Sequence, residues 1–411
     1  MQIVVAVPEF ANLADAEAIM RHICGVPLLE RTLKTAQRFG ANDVLLIWPQ
    51  SVPLELGESF LRIPTFRKTE KFRLVHTSFD PAVASSWINI DDCLESQFIW
   101  LPWNWVTNAR ALSDLPTCGR LIDSWTRPCR ISKTAVLTDV KFASQTGPLP
   151  KGVAVTSDES AAEAERFLVA GSGKVLDGFH TSFNRRLCRP FVRLLSHTRV
   201  TPNQVTCGGV LVSIASFFAF AHGGYWAYVV GALLFFIAGL FDEMDGMLAR
   251  IKFADSSFGT WFEGFADGLG YLLLFAGITI GLYRQHGDRE LWVGAALLVG
   301  TVLSLIVTSL GRKRGTTADR RHEYLGTLYE KMEGDSSNWI SRTARRIQPL
   351  QKRGVCIHYI VLLTVLGCLP VLFYLSTLGS HLMWTLSLYF NHRFFKQAKP
   401  VRELAMSQEA S

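Results

Sequence analysis

From residue 242 the sequence reads Asp-Glu-Met-Asp-Gly-Met-Leu-Ala-Arg, and after a short break Gly259, Glu263 and Asp267 follow, all in strongly apolar surroundings. At 3.6 residues per turn, Asp242, Asp245 and Ala249 fall near one face of a helix, while Gly259, Glu263 and Asp267 recur every four residues on the next. Four carboxylates can therefore converge from two neighbouring helices. Like charges gathered beside hydrocarbon repel and are poorly solvated, and a divalent cation is the simplest compensation that oxygen ligands can recruit. Gly246, Ala249 and Gly259 flank the acids, leaving room for backbones and a flat ligand to approach closely. Such a site suits a diphosphate bridged by two metal ions, with one carboxylate left to take a proton from a hydroxyl group.

The elements that must position these acids are membrane spans. The 411-residue sequence changes character near residue 200: upstream it is mixed and soluble in type, and downstream it carries apolar runs near the length needed to cross about 30 Å of hydrocarbon. We expect six spans near 204–221, 226–247, 258–282, 291–310, 355–375 and 380–395. Outer loops are expected at Gly223-Gly224, at Tyr283 to Arg289 and at Ser376 to Ser380. The inner loops then hold Arg250 and Lys252, Arg312-Lys-Arg, Arg320-Arg321 and Lys352-Arg353, with Arg393 and Lys396 at the end. This bias puts both termini in the cytoplasm and the four acids at the inner boundary of spans two and three. An ion transporter is a weaker reading, because the acids group at one boundary rather than along a path.

Ahead of the spans, Ile3 to Val7 reads as a buried strand, Pro27 to Phe39 as a helix and Asp43 to Trp48 as a second strand. Phe72 to Thr77, Phe98 to Leu101, Ala135 to Leu137 and Val153 to Val155 are further strand candidates. Together they predict a doubly wound α/β domain. Trp100, Trp103 and Trp105 are expected to pack in its core or at a domain interface. Glu163 to Val169 reads as a short helix and Gly171-Ser-Gly as a flexible joint. From Lys174 a basic amphipathic segment carries Arg185, Arg186, Arg189, Arg193 and Arg199 with no acid among them, and suits the inner leaflet.

Thr201-Pro-Asn-Gln-Val-Thr then opens the first span with proline in the first turn. In the long inner loop, Tyr324 to Met332 and Trp339 to Ile347 read as surface helices. The eight cysteines form no Cys-x-x-Cys pair, which argues against a zinc site or a disulfide framework. The net charge of +7 lies beside apolar segments, so topology and membrane lipid explain it, not nucleic acid. The first residues hold no basic leader, and we expect no secretory signal.

Asp242-x-x-Asp-Gly-x-x-Ala-Arg followed by Gly259-x-x-x-Glu-x-x-x-Asp267 resembles the signature of the CDP-alcohol phosphotransferases, and the resemblance runs from about Lys174 through the six spans. It implies transfer of a substituted phosphate from a CDP-alcohol to a hydroxyl acceptor with release of CMP, using Mg2+ or Mn2+. By that resemblance Asp242, Asp245, Glu263 and Asp267 hold metal and Asp267 is also the general base. Asn203, Gly246, Ala249, Arg250 and Gly259 shape the nucleotide pocket. Arg312, Lys313, Arg314 and Arg353 are acceptor-binding candidates. The family has aspartate where this chain has Glu263, and the extra methylene moves the carboxylate by about a bond length. Asp255 is a candidate to compensate, although Ser256 and Ser257 read as a helix start.

Cys24-Gly-Val-Pro-Leu-Leu-Glu-Arg-Thr-Leu and Phe39-Gly-Ala-Asn-Asp-Val-Leu-Leu-Ile resemble the early part of sugar-phosphate nucleotidyltransferase domains. That family's triphosphate loop reads Val7-Pro-Glu-Phe-Ala-Asn-Leu-Ala-Asp here, its lysine position is Val26, and Phe98 to Trp105 offers no metal-binding aspartate. Without those amides and that charge, nucleotide transfer is not expected.

The pairing resembles fused inositol-phosphate cytidylyltransferase and di-inositol-phosphate synthase proteins. The expected organisation is 1–170 nucleotidyltransferase-like and inactive, 171–203 juxtamembrane, 204–397 an all-α membrane domain of six transmembrane helices, and 398–411 a tail. CDP-diacylglycerol and CDP-inositol are both open as donor. The expected location is the cytoplasmic (inner) membrane, and the family's dimers make a homodimer compatible. The competing reading is a catalytically silent membrane scaffold.

Overall fold

Alternation of side chains in short β-branched runs sets the front of the molecule. The computed structural model describes residues 1–10, 17–61, 71–115, 117–118, 125–137, 151–173, 178–315, 324–335, 338–347 and 353–395. It divides into two compact units. The first comprises Met1–Gly173, Arg189–Arg199 and Met247–Ala254, and the second Lys174–Cys188, Val200–Gly246 and Asp255–Ser411.

In the first unit β1 (Gln2–Ala6) is followed by a hairpin of β2 (His22–Ile23) and β3 (Val26–Pro27), then α1 (Leu28–Phe39), β4 (Asp43–Trp48), α2 (Leu54–Leu61), β5 (Lys71–His76) and α3 (Ala84–Ile88). Next come β6 (Gln97–Trp100), β7 (Trp105–Val106), β8 (Thr117–Cys118), β9 (Cys129–Ser132), α4 (Lys133–Leu137), β10 (Val153–Ala154) and α5 (Asp158–Gly171). The main sheet has the order β5-β4-β1-β6-β9-β8, with β5, β4, β1 and β6 parallel and β9 antiparallel to β6. Ile3, Val5, Leu46 and Trp48 fill one face and Val4, Ala6, Leu45 and Ile47 the other. Both faces of the parallel strands are covered, as such sheets require.

Trp100 and Trp105 are buried. Trp100 stacks edge-on against Trp87 and Trp125, so it packs the core. Cys24 and Gly25, with φ 49 and 74, form the two-residue turn of the hairpin, whose two positive φ values match the strand twist.

Three expectations are corrected in this unit. Ala135 to Leu137 is the end of α4, not a strand. The strand is Cys129–Ser132, and its register with Gln97–Trp100 ends where Ser132 meets Gln97, so no partner remains for the residues beyond. Val153–Ala154 is a strand but pairs with Trp105–Val106 in a separate two-stranded sheet. The expected joint is a built helix end: Gly171 lies inside α5, and Ser172 is buried with its hydroxyl donating to Val169 O at 2.8 Å.

The remaining helices are α6 (Phe179–Ser196), α7 (Pro202–His222), α8 (Tyr225–Lys252), α9 (Ser257–His286), α10 (Asp288–Gly315), α11 (Tyr324–Gly334), α12 (Trp339–Ile347), α13 (Arg353–Val365) and α14 (Leu369–Phe395). Both α6 and α8 pass through the two units. α6 leaves Phe179, Phe183, Leu187, Phe191 and Leu194 exposed along its length while Asn184, Cys188 and Val192 are buried. Thr201 caps α7 reciprocally with Gln204, and Pro202 occupies the first turn, where a missing N–H costs nothing.

Among the described residues five helices are long and apolar enough to cross a membrane, α7, α8, α9, α10 over Asp288–Arg312, and α14, and Gly354–Val365 is a shorter apolar helix. The chain is a multi-pass membrane protein. α9 packs on α7 and α10, and α10 on α14. Contact with α7 is close because Gly277 and Gly281 lie against the Phe217 and Phe220 backbone, where a Cβ would collide.

The turn between the last two helices is at Leu366 to Cys368, not at Ser376 to Ser380 as expected. Gly367 takes φ 73 there, whereas Thr377 and Ser380 stay in α14 because their hydroxyls donate to Phe373 O and Thr377 O within the helix. Arg320, Arg321, Lys352 and Lys396 lie outside the described residues.

Candidate metal centre

The acids meet because α8 and α9 are consecutive helices, and in each the spacing of three or four residues keeps side chains on one face. One carboxylate oxygen each from Asp242, Asp245 and Glu263 lies within 4.8 Å of the other two. Asp267 joins Asp242 and Asp245 in lining a cleft. Its other walls are Thr206, Gly209, Val210 and Ser213 of α7, with Ala238 and Ala266. Every one of these residues belongs to the second unit.

Asp245 is 3% exposed. The Thr206 hydroxyl donates to its Oδ2, while Oδ1 is buried with no hydrogen-bond partner among the described residues. A buried carboxylate oxygen without a donor is costly, and a hard cation satisfies it directly. The donor set is all oxygen, which suits magnesium, calcium or manganese over zinc or copper. These residues fit a divalent cation.

Two neighbours fix the helices that present the acids. Arg185 of α6 donates from Nε to Glu243 Oε2 at 2.9 Å, with both side chains largely buried, and the Cys188 thiol donates to Leu240 O at 3.5 Å. The acid between Asp242 and Asp245 in sequence is therefore used to dock α6. Ser256 is the cap of α9, its hydroxyl accepting from Gly259 N at 2.9 Å. A Cβ on Gly259 would come within 3.0 Å of Ser256 Oγ and 3.3 Å of Asn203 Oδ1. Glycine here lets Asn203 approach the first turn of α9.

Gly246 follows Asp245 within the second unit, whereas Ala249 and Arg250 belong to the first, where Arg250 Nε donates to Ser172 O at 2.6 Å. Arg312 is exposed on α10, and the side chains of Lys313, Arg314 and Arg353 lie outside the described residues. Sequence reasoning missed Thr206 and the Arg185–Glu243 pair. Thr206 ends the Thr201-to-Thr206 motif at helical spacing from Pro202, a signal available in principle, but a bond across 58 residues leaves no local trace.

The family model described as CDP-alcohol phosphatidyltransferase matches residues 199–330. That stretch is a CDP-alcohol phosphatidyltransferase domain. It contains every acid of the cluster, Asn203, Thr206 and Gly259. The chain is similar to the bifunctional IPC transferase and DIPP synthase of Aquifex aeolicus, 26% identical over 237 residues, which are 57% of this chain and 49% of that protein. It is also similar to the phosphatidylinositol phosphate synthase of Corynebacterium glutamicum, 28% identical over 151 residues, 36% of this chain and 64% of that protein. The match thus spans about half the length of the first relative and under two thirds of the second. A crystal structure of Mycobacterium tuberculosis phosphatidylinositol phosphate synthase with CDP-DAG bound aligns with a TM-score of 0.34 and 18% identity, covering 50% of this chain and 94% of that one.

Proposed function

We propose that this protein transfers a substituted phosphate from a CDP-alcohol to a hydroxyl acceptor and releases CMP. The observation that carries the reading is the meeting of Asp242, Asp245 and Glu263 carboxylates within 4.8 Å inside the matched domain. In the reaction, the acceptor oxygen forms a bond to the phosphorus bearing the donor's alcohol, the phosphoanhydride bond to CMP breaks, and the hydroxyl proton passes to Asp267. Asp242, Asp245, Glu263 and Asp267 would hold Mg2+ or Mn2+. Bound divalent cations supply neutralisation of the diphosphate and of the leaving phosphate.

Asn203, Gly246, Ala249, Arg250 and Gly259 would form the nucleotide pocket, and Arg312, Lys313, Arg314 and Arg353 would attract an anionic acceptor. Residues 1–170 contribute no nucleotide transfer, 171–203 lie on the inner leaflet with the exposed stripe of α6 in lipid, and 204–397 form the membrane domain. This arrangement puts both termini in the cytoplasm and the site at the inner face of the cytoplasmic membrane. A homodimer is compatible with the apolar surface.

Purified protein given radiolabelled CDP-diacylglycerol or CDP-inositol, Mg2+ or Mn2+ and a panel of alcohols should release CMP with at least one pair. No release with any pair, together with an Asp267→Asn variant that changes nothing in cells, would favour the silent scaffold. Cytidylyltransferase activity from residues 1–170 alone would overturn the inactive front segment.

A further inference from the structure

Every helix ends with carbonyls that lack intrahelical partners, and at the end of α8 two arginines of α1 take them. Arg38 Nη1 donates to Arg250 O at 2.8 Å, and Arg31 Nη2 donates to Ile251 O at 2.9 Å while also holding Ile23 O at 2.8 Å. Phe253 then turns into the left-handed region at φ 55, and Ala254 N donates back to Ala249 O at 3.0 Å. Glycine is the usual residue at such a helix ending. A phenylalanine in that conformation is strained, and the strain is offset by its ring lying 5.2 Å from Arg31 Cζ and 4.4 Å from Arg38 Cζ.

Arg31 is 1% exposed, and burial lowers its pKa only to about 10, so it is charged at neutral pH. The two cations of the turn cap other helix ends in the same way. Arg250 Nε reaches Ser172 O at the end of α5, and Lys252 Nζ reaches Leu195 O and Thr198 O at the end of α6. Gly25 lies so close to Ser196 O that no Cβ fits. All these residues belong to the first unit, and Arg250 is about one and a half turns from Asp245 on one continuous helix.

We propose that Arg31 and Arg38 are positioning residues for the acid-bearing helix. By capping the last carbonyls of α8, they fix the turn that holds Ala249 and Arg250. This is the contribution that a front segment stripped of nucleotidyltransferase groups makes to the reaction. The identity of what is positioned rests on the proposed function, whereas the cap does not.

The test uses the full chain in lipid nanodiscs with Arg38→Gln, Arg31→Met and Arg31→Lys, and with Asp43→Asn as a front-sheet control. Arg38 is exposed, so its variant keeps the protein foldable if Arg31→Met does not. Hydrogen exchange of residues 247–254 should rise about tenfold or more in Arg38→Gln and Arg31→Met, kcat for CMP release should fall by about ten- to a hundredfold, and Arg31→Lys should recover part of both. Asp43→Asn should change neither. Unchanged exchange in both variants overturns the proposal, as does raised exchange with undiminished kcat. If the wild-type chain releases no CMP from any donor, the proposed function fails separately. Mn2+ affinity then decides: several-fold weaker binding on loss of the cap supports positioning, and unchanged binding overturns it.

Discussion

Asp43 in the front sheet and Asp245 in α8 are buried alike, 4% and 3% exposed, yet their surroundings differ. Asp43 accepts Gln2 Nε2 at 2.8 Å, Arg73 Nε at 3.2 Å and a second bond from Arg73 Nη2, which also holds Cys93 O. Asp245 has Thr206 on one oxygen, no hydrogen-bond partner among the described residues on the other, and two further carboxylates beside it. A guanidinium closes the first acid, whereas the second lies among other acids, where we propose that a cation binds. Burial alone does not tell the two apart; the partner set does.

The comparison breaks most directly by removing each charge. Asp245→Asn should lower CMP release at least about a hundredfold, the scale of losing one preorganised electrostatic contact, while Asp43→Asn should leave the rate unchanged. In denaturant titrations of the two variants the order reverses. Asp43→Asn should lose about 1.5–3 kcal/mol, the range for hydrogen bonds to a charged group, because Arg73 keeps its charge without its carboxylate partner. Asp245→Asn in EDTA should be at least as stable as the wild type, since it removes a poorly compensated buried charge.

Metal should stabilise only one of them. At a Mn2+ concentration about a hundredfold above its Kd, the wild type gains about 2.7 kcal/mol. Thermal melts should show the gain in the wild type and in Asp43→Asn but not in Asp245→Asn, and an equal gain in all three would remove Asp245 from the metal site.

Glu263→Asp sharpens the same contrast. The longer side chain already brings an oxygen within 4.8 Å of its two neighbours, so shortening it should withdraw that oxygen and slow CMP release about tenfold. A faster variant would show instead that glutamate impairs the site. Arg185→Met tests a satisfied charge beside the cleft: Glu243 would be left largely buried and unpaired, costing about 1–3 kcal/mol of stability, with Mn2+ affinity changing less than in any acid variant.

The smallest effect concerns Asp335, whose carboxyl Arg393 holds below the usual range through paired hydrogen bonds. A carboxylate with a lowered folded pKa contributes fully above its unfolded value, about 3.9. The contribution is lost as pH falls through the lower folded value. An NMR titration of Asp335 should therefore show a midpoint below that of the Arg393→Gln variant.

Much of the site was legible because helical spacing is local. Asp242 and Asp245, and then Glu263 and Asp267, share faces by periodicity alone, and the break with Ser256 between them marks a turn. The β/α start was legible within a residue, since Gln2–Ala6 and Asp43–Trp48 are strands covered on both faces. The turn before α14 was not legible: the apolar run across 366–368 hardly changes, and the polar Thr377 and Ser380 that mimic a loop satisfy themselves inside α14. The strand at Cys129–Ser132 was missed because only its partner's end decides where it stops.

That acids, small residues and apolar spans recur at helical spacing follows from the residue order, because periodicity depends only on the chain's own geometry. Tertiary structure alone decided which charges are answered. Arg73 reaches Asp43, Arg185 reaches Glu243, and Arg31 and Arg38 reach the end of α8 across long separations in the chain. Among the described residues Asp245 keeps one oxygen without a hydrogen-bond partner. Whether a buried charge is closed or open depends on which distant side chains folding brings within hydrogen-bond reach, and no local pattern encodes that distance.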